Sequence, residues 1–444
     1  DELTIRKGRA PALGRSQPMP DYLNGWYADG CKERPGKKPR WAYKTRVDYR
    51  LVLNDYVLPH VAGLTVDEFD SSKRHAQYVI DTVEAAVSTH AAAKAYRVLR
   101  SAMSDAVRAE LVDRNVVKLV REPVPVAAES EYLTPDDGRA VLAEVLKLGR
   151  YRARWLMALT MGERQSQCLG LRWYDPAHPR LPGDVDLDDG VIYIRKKLLR
   201  RTWSHGCDNP QACGSAPRPG KPGGVHRAVR DACPGAGKLH DRYHRRGAGC
   251  PPAVKPCPPH CAGHAAACPK RHGGGLFLED PKTRAGIRSV PMPAVTLEAF
   301  RLEKRLQDEA RLLAGNYWND LGLCFTTDLG TALDPRNDHD AWKQLLHRAG
   351  VEPAKLHSAR HFARIILGIL RVPTAVVKQI LGWATDMSHV YDHAPDDEVR
   401  AAMDKVNDHL FGGQPSRPQR SPRQRRPKGH QHGAVVLQFR PRAN

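Results

Sequence analysis

The chain has 444 residues, 41% of them hydrophobic, which is enough for roughly two or three globular domains with separate cores. No stretch approaches the roughly 18 consecutive apolar residues of a membrane helix. The charged residues 1–9 contain no apolar signal region, so membrane insertion and secretion are both disfavoured. The net charge of +21 favours a polyanionic partner, because Lys and Arg neutralise phosphates and release counterions. A solvated cationic surface is the simpler alternative.

The first part of the chain is predicted to be helical. Residues 1–18 are polar and basic and are expected to be disordered. One long amphipathic helix follows, in which apolar residues recur at spacings of three and four while Arg97, Arg100 and Arg108 occupy the polar face. The apolar stripe consists of Ala95, Val98, Leu99, Ala102, Met103, Ala106, Val107 and Leu111. We predict a helical domain over residues 19–122.

A second domain is predicted over residues 131–411. It follows residues 123–130, whose alternating prolines have the composition of an extended linker. Thr134 is placed to cap a new helix, and Pro135 suits the first helical position, where its missing N–H costs nothing. Another helix is predicted over residues 152–160.

Strands and then helices are predicted in the remainder of this domain. Residues 190–195 have strand composition, and the matching strands come much later, over residues 276–278 and 287–290, with a hairpin turn between those two. Residues 297–409 are expected to be mostly helical. Residues 412–444 contain eight Lys and Arg and no acidic residue, which is typical of a disordered tail that adds non-specific DNA affinity.

An insertion over residues 203–274 holds seven of the ten cysteines and as many histidines. Such clustering favours metal ligation in a reducing compartment over a disulfide framework. Zinc takes four nitrogen or sulfur ligands, and a Pro/Gly-rich segment would need such a staple to fold, although a disordered basic loop is the alternative. The candidate ligands of this structural zinc are Cys207, Cys213, Cys250, Cys257, Cys261 and Cys268.

Residues suited to phosphodiester chemistry occur in four separate elements of the second domain. An arginine follows the helix over residues 152–160, a lysine lies in the hairpin turn, and a histidine and an arginine three positions apart share one helix face. A tryptophan and a tyrosine come after them. Each residue alone is commonly a solvated surface residue, but their order within one domain is a strong signal. The candidates are Arg164, Lys282, His357, Arg360, Trp383 and Tyr391.

This order resembles the tyrosine recombinase (phage integrase) family, most closely the integrases of actinobacterial phages and integrative plasmids, over residues 19 to about 410. The matching segments begin at Gly162, Pro281, Leu356, Leu381 and Tyr391, and read GERQSQCLGLRW, PKTRAGIRSVP, LHSARH, LGW and YDH. The resemblance implies a mainly α fold with a small antiparallel β-sheet. It also implies a two-domain DNA clamp, in which a helical core-binding domain is joined to a catalytic domain.

The resemblance also implies a division of labour among these residues. Tyr391 attacks the scissile phosphorus, displaces the 5′-hydroxyl and forms a 3′-phosphotyrosyl bond. Arg164 and Arg360 clamp the non-bridging oxygens and stabilise the charge of the transition state. Lys282 protonates the leaving 5′-oxygen. No cofactor is required for this chemistry.

Two further roles and three departures from the family pattern follow from the same resemblance. His357 either transfers a proton at Tyr391 or holds the phosphate, whereas Trp383, in place of the commoner His, donates an N–H but cannot carry a proton. Gln167 stands where the family usually has Glu, which removes a charge near the first arginine. The interval from Trp383 to Tyr391 is also shorter than usual, and no small β-sheet domain is expected before residue 19.

The resulting hypothesis is a site-specific recombinase that integrates or excises a mobile element, acting on double-stranded attachment-site DNA in the bacterial cytoplasm and nucleoid. Four protomers would act on two DNA partners, with the need for an excision directionality factor left open. A type IB topoisomerase-like enzyme is a rival with the same chemistry. A catalytically impaired integrase that acts only as a site-specific DNA-binding protein is the alternative from another class, because of Gln167 and the short tyrosine spacing.

Overall fold

The computed structural model describes residues 16–33, 39–126, 132–207, 265, 268–281, 286–383, 394–412 and 435–436. The chain forms two compact units, residues 1–130 and residues 131–444. The disorder predicted for residues 1–18 and 412–444 falls almost entirely outside the described residues. No helix in the described ranges is both long enough and apolar enough to cross a membrane.

The first unit is helical, as predicted. The predicted stripe lies on its longest helix, α6, where Leu99, Ala102, Met103 and Ala106 are fully buried. Ser88 begins that helix by accepting a hydrogen bond from the backbone N–H of Ala91. The helices of this unit are α1 (Met19–Cys31), α2 (Tyr43–Val52), α3 (Leu58–Val61), α4 (Val66–Ser71), α5 (Lys73–Ala86) and α6 (Thr89–Arg108).

The second unit has a mainly helical core to which small sheets are added. Its first helix begins with the predicted cap: Thr134 and Asp137 exchange hydrogen bonds between side chain and backbone, with Pro135 at the first helical position. The helices are α7 (Pro135–Leu146), α8 (Arg152–Thr160), α9 (Gln165–Cys168), α10 (Ala294–Ala314), α11 (Pro335–Arg348), α12 (His357–Ile369), α13 (Thr374–Leu381) and α14 (Asp396–Phe411).

The strands form two three-stranded antiparallel sheets, β1-β2-β5 and β3-β4-β6. The hairpin predicted between residues 276–278 and 287–290 is wrong, because these strands pair with other partners: β5 with β2, and β4 with β3. Only Arg195 and Lys196 separate β2 from β3. These two consecutive strands therefore pair with the two later strands, β2 with β5 and β3 with β4. The strands are β1 (Val185–Asp186), β2 (Val191–Ile194), β3 (Lys197–Arg201), β4 (Gly275–Glu279), β5 (Arg288–Pro291) and β6 (Val435–Val436).

Helices that are far apart in the sequence pack around α8 in the second unit. Helix α8, at its centre, contacts α7, α10 and α12, and eight of its nine residues are buried. A buried ion pair between Arg154 and Asp338, with nitrogen–oxygen distances of 3.0 and 2.8 Å, joins α8 to α11. Gln165 donates to the same Asp338 carboxylate at 2.8 Å, so the turn that follows α8 is also held from α11. The predicted fold class, mainly α with a small antiparallel β component, is confirmed.

Candidate active site

Arg164 lies in the turn after α8, and the conformation of this turn depends on Gly162. Gly162 has a φ of +65°, and a Cβ there would lie 2.6 Å from Leu381 Cδ2 and 3.2 Å from Ala363 Cβ. Only glycine tolerates this left-handed backbone and close approach without strain. The turn therefore packs directly on α12 and α13 before Arg164 begins the short helix α9.

Arg360 is fixed between two of these segments. Its side chain on α12 is buried, and its guanidinium donates to the carbonyl oxygen of Gly162 at 2.8 Å and to that of Leu381 at 2.6 Å. Leu381 is the last residue of α13, where carbonyl groups lack partners within the helix and carry the negative end of the helix dipole. Burial, together with Arg164, lowers the pKa of Arg360 to about 10, so the group is still a cation at neutral pH.

Arg288, which the sequence did not single out, holds the site from the sheet side. It lies on β5 and donates to both oxygens of Glu163 at 2.6 and 2.7 Å, with both side chains almost fully buried. It also donates to the carbonyl of Ile380 at 2.9 Å. The pKa of Arg164 is lowered by burial and by Arg288, and the Glu163 carboxylate opposes both effects.

Gln167 belongs to this buried network. With its amide nitrogen facing Glu163, it donates to the carboxylate at 3.2 Å and accepts from Arg288 at 3.2 Å. The opposite orientation would set the amide oxygen against a carboxylate. The site therefore keeps a negative charge beside Arg164 despite the glutamine. Gln167 itself is neutral, as the sequence implies, and the negative charge beside Arg164 comes from Glu163.

His357 and Trp383 border the arginines from the exposed side. His357 is the first residue of α12, and its ring meets that of His361 edge to face at 4.9 Å. Burial of the imidazole in the folded chain, followed by the charges of His361, Arg360 and Arg164, lowers the pKa of His357, which favours the neutral form. The guanidinium of Arg360 lies 5.7 Å from the ring centroid of Trp383, a cation–π distance.

Lys282 and Tyr391 lie outside the described residues, but one flanking residue of each undescribed segment lies in this cluster. Gly286, which follows residues 282–285, accepts a hydrogen bond from Arg288 at 3.3 Å. Trp383, which precedes residues 384–393, donates its backbone N–H to Lys378 at 3.0 Å and lies against Arg360. Of the six predicted catalytic residues, Arg164, His357, Arg360 and Trp383 are thus brought together; the positions of the other two stay predictions.

Comparisons with known proteins show which family the chain belongs to. No family profile matches the chain. An integrase of Saccharopolyspora erythraea is 34% identical to it over 390 residues, which cover 83% of this chain and 78% of that protein. The chain belongs to the integrase family of tyrosine recombinases. The predicted family membership is confirmed.

A second sequence relative and one solved structure are also similar to this recombinase. A tyrosine recombinase XerC-like protein of Caldanaerobacter subterraneus subsp. tengcongensis is 34% identical over 133 residues, 29% of this chain and 34% of that protein. The solved structure of the Tn1549 transposon integrase in complex with transposon right end DNA is 15% identical and covers 86% of this chain and 98% of that chain. Its TM-score of 0.53 is a likeness of the fold.

The histidine pair of this recombinase predicts a pH dependence of stability. Burial first, then neighbouring charges, lowers the pKa of both His357 and His361 in the folded chain. In the unfolded chain these histidines have pKa values of about 6.5, so on acidification they take up protons at a higher pH than they do in the folded chain. The free energy of unfolding is therefore unaffected by these histidines above that pH and decreases as the pH falls below it. Urea midpoints should therefore fall less on acidification in a His357→Gln/His361→Gln variant than in the unaltered protein.

The comparison should be made at about pH 7.5 and about pH 5.5, on either side of the ordinary histidine pKa. Glu303, whose pKa burial raises to about 7, changes stability in the opposite direction, but it is present in both proteins and cancels from their difference. An equal midpoint difference between the two proteins at both pH values would contradict the prediction.

Proposed function

We propose that this recombinase cleaves and rejoins DNA strands at specific sites through a 3′-phosphotyrosyl bond on Tyr391, and thereby integrates or excises a mobile element. The observation that carries the proposal is the fixed guanidinium of Arg360 beside Arg164, at the point from which the chain departs toward Lys282 and Tyr391. A scissile phosphate carries one negative charge in the ground state and gains a second in the transition state. Cations held in place before reaction stabilise that second charge without reorganisation.

Bonds and protons balance within the proposed site. The Tyr391 oxygen forms a bond to phosphorus as the bond from phosphorus to the 5′-oxygen breaks, and Lys282 gives that oxygen its proton. A free phenol has a pKa of about 10, so its proton must be removed on attack. His357 suits this task, because its lowered pKa leaves the imidazole neutral and able to accept a proton. Trp383 contributes an indole N–H and an apolar surface rather than proton transfer.

Double-stranded DNA is the proposed partner, and the first unit offers a basic surface for it. Helix α6 and its neighbours form an open depression lined by four arginines, Arg40, Arg97, Arg100 and Arg108, and one acidic residue, Glu122. Arginine side chains bind phosphates with an affinity that falls as salt rises. We further propose that four protomers act on two duplexes in the nucleoid, because recombination by this chemistry requires four strands to be cut.

A suicide substrate tests the proposed chemistry. A duplex carrying the element's attachment site, nicked next to the scissile phosphate, should trap a covalent protein–DNA adduct, because the released fragment diffuses away before religation. The adduct should vanish in Tyr391→Phe while DNA binding persists. Tyr317→Phe is the matched control: Tyr317 lies in the same unit and is 84% exposed, so its adduct yield should equal that of the unaltered protein.

Two results would lead to other functions. Specific DNA binding with no adduct from the unaltered protein would contradict the enzymatic proposal and favour the DNA-binding alternative. Adduct formation with relaxation of supercoiled DNA, but without exchange between two attachment sites, would instead indicate a topoisomerase. The spacing between Trp383 and Tyr391 and the neutral Gln167 are the two features on which the first alternative rests, and Glu163 still places one negative charge beside Arg164.

A further inference from the structure

The two ends of the Cys/His-rich insertion meet at the edge of the β3-β4 sheet. Beyond the paired strands, Ser204 and His272 continue the pairing: each donates its backbone N–H to the carbonyl of the other, at 2.9 and 3.0 Å. The ring of His272 also lies 3.1 Å from the carbonyl oxygen of His205. The chain therefore enters and leaves the insertion side by side.

A glycine permits an even closer approach of these two ends. A Cβ at Gly206 would lie 2.1 Å from the carbonyl oxygen of Lys270, which no side chain could tolerate without displacing the backbone. Gly206 lies between His205 and Cys207. Its close contact with the backbone of Lys270 therefore brings both neighbouring residues next to the segment by which the chain leaves the insertion. There, Cys268 is almost fully buried, at 2% exposure, within a turn closed by its N–H bonding to Ala265 at 3.0 Å.

Three metal-ligating side chains converge at this junction. One ligand atom from each of His205, Cys207 and Cys268 lies within 4.8 Å of the other two. The distance from Cys207 Sγ to His205 Nδ1 is 3.6 Å. Tetrahedral zinc, with Zn–S near 2.3 Å and Zn–N near 2.1 Å, places a sulfur and a nitrogen ligand about 3.6 Å apart. The observed spacing is thus that of two corners of a zinc tetrahedron.

The chemistry of the three side chains decides which ion they suit. Two thiolates with an imidazole form a soft to borderline donor set, which suits zinc rather than magnesium or calcium.

We propose that His205, Cys207 and Cys268 supply three of the four ligands of a structural zinc ion that ties together the two ends of the insertion. The ion would stabilise the ends of β3 and β4, the latter of which leads into Lys282. It lies outside the strand-cleavage chemistry and does not depend on it. Two of the predicted ligands, Cys207 and Cys268, are thus retained, His205 is added, and Cys213, Cys250, Cys257 and Cys261 lie outside the described residues.

Zinc content tests the proposal directly. The full-length protein, produced with zinc in the medium and purified without chelators, should contain at least one zinc per chain by mass spectrometry of the metal. Cys207→Ser, Cys268→Ser and His205→Ala should each lose one equivalent. Cys31→Ser is the matched control, because that half-buried cysteine lies in the first unit and its replacement should leave the zinc content unchanged.

A second measurement keeps the proposal testable if those variants fold poorly. Co²⁺ exchanged into the unaltered protein should give the visible spectrum of tetrahedral coordination, together with a sulfur-to-cobalt charge-transfer band. His205→Cys should retain the metal and strengthen that band, because it adds a thiolate at the same corner. Zinc-free unaltered protein, zinc content that is indifferent to Cys207 and Cys268, or a Cys207–Cys268 disulfide in the freshly purified protein would each overturn the proposal.

Discussion

Replacing Arg360 with lysine should lower the rate of strand cleavage by roughly 10²–10³-fold, the usual effect of losing one fixed donor to a developing oxyanion. Lysine keeps the charge, but a single ammonium group cannot reproduce the planar fork that bonds Gly162 and Leu381 and still faces the phosphate. The chemical step should therefore suffer far more than DNA binding, to which one phosphate contact contributes only a small part.

Single-turnover cleavage of the nicked substrate measures the first quantity, and DNA affinity at the same salt concentration measures the second. The substitution also leaves a buried carbonyl short of a donor, which should lower the free energy of unfolding by about 1–3 kcal/mol. Arg348→Lys is the matched control, because Arg348 is exposed in the last turn of α11 and its replacement should change none of the three quantities. Cleavage by the Arg360→Lys variant within a few-fold of the unaltered rate would contradict the assigned role.

Local sequence signals predicted much of this molecule. The cap at Thr134, the helix Arg152–Thr160 and the buried stripe of α6 each depend on residues within one or two turns of each other. Such signals are written in neighbouring positions, where propensity, capping and periodicity act together. The site residues Arg164 and Arg360 could be named because their motifs are also local.

The residues that were missed depend on contacts between distant segments. Glu163 and Arg288 are 125 positions apart, and nothing near either residue indicates that the other is its partner. His205 becomes a candidate ligand only once Cys268 is known to lie opposite it, with the whole insertion between them. The strand partners were also assigned wrongly, because strand composition identifies β4 and β5 but does not determine which neighbour each one takes.

The buried Glu163–Arg288 pair should make the second unit sensitive to a conservative change. Glu163→Gln removes one charge and almost no volume, yet it leaves the buried guanidinium of Arg288 uncompensated. Breaking a buried pair from one side typically costs about 3–5 kcal/mol, because the remaining charge has lost both water and its partner. Urea unfolding of the variant should show a loss of this size.

A double-mutant cycle separates the pair from the rest of its surroundings. Glu163→Gln/Arg288→Met removes both charges and should recover part of the loss, although the Ile380 carbonyl then lacks the donor that Arg288 supplied. Glu298→Gln, which breaks the exposed pair with Arg301 on α10, should cost no more than about 1 kcal/mol. A loss in Glu163→Gln no larger than that of this control, or strictly additive losses in the cycle, would contradict the prediction.

Glu163→Gln should also lower the rate of strand cleavage. Glu163 raises the pKa of Arg164 and Arg360, and Arg288 lowers both, so the pair balances charge behind the two guanidinium groups that we propose bind the scissile phosphate. Arg288 also donates hydrogen bonds to the backbone carbonyls of Gly286 and Ile380. If Arg288 moves, both of these backbone segments lose a contact that holds them at the site. Cleavage by Glu163→Gln should therefore decrease even under conditions where the variant is fully folded, whereas Glu298→Gln should cleave normally.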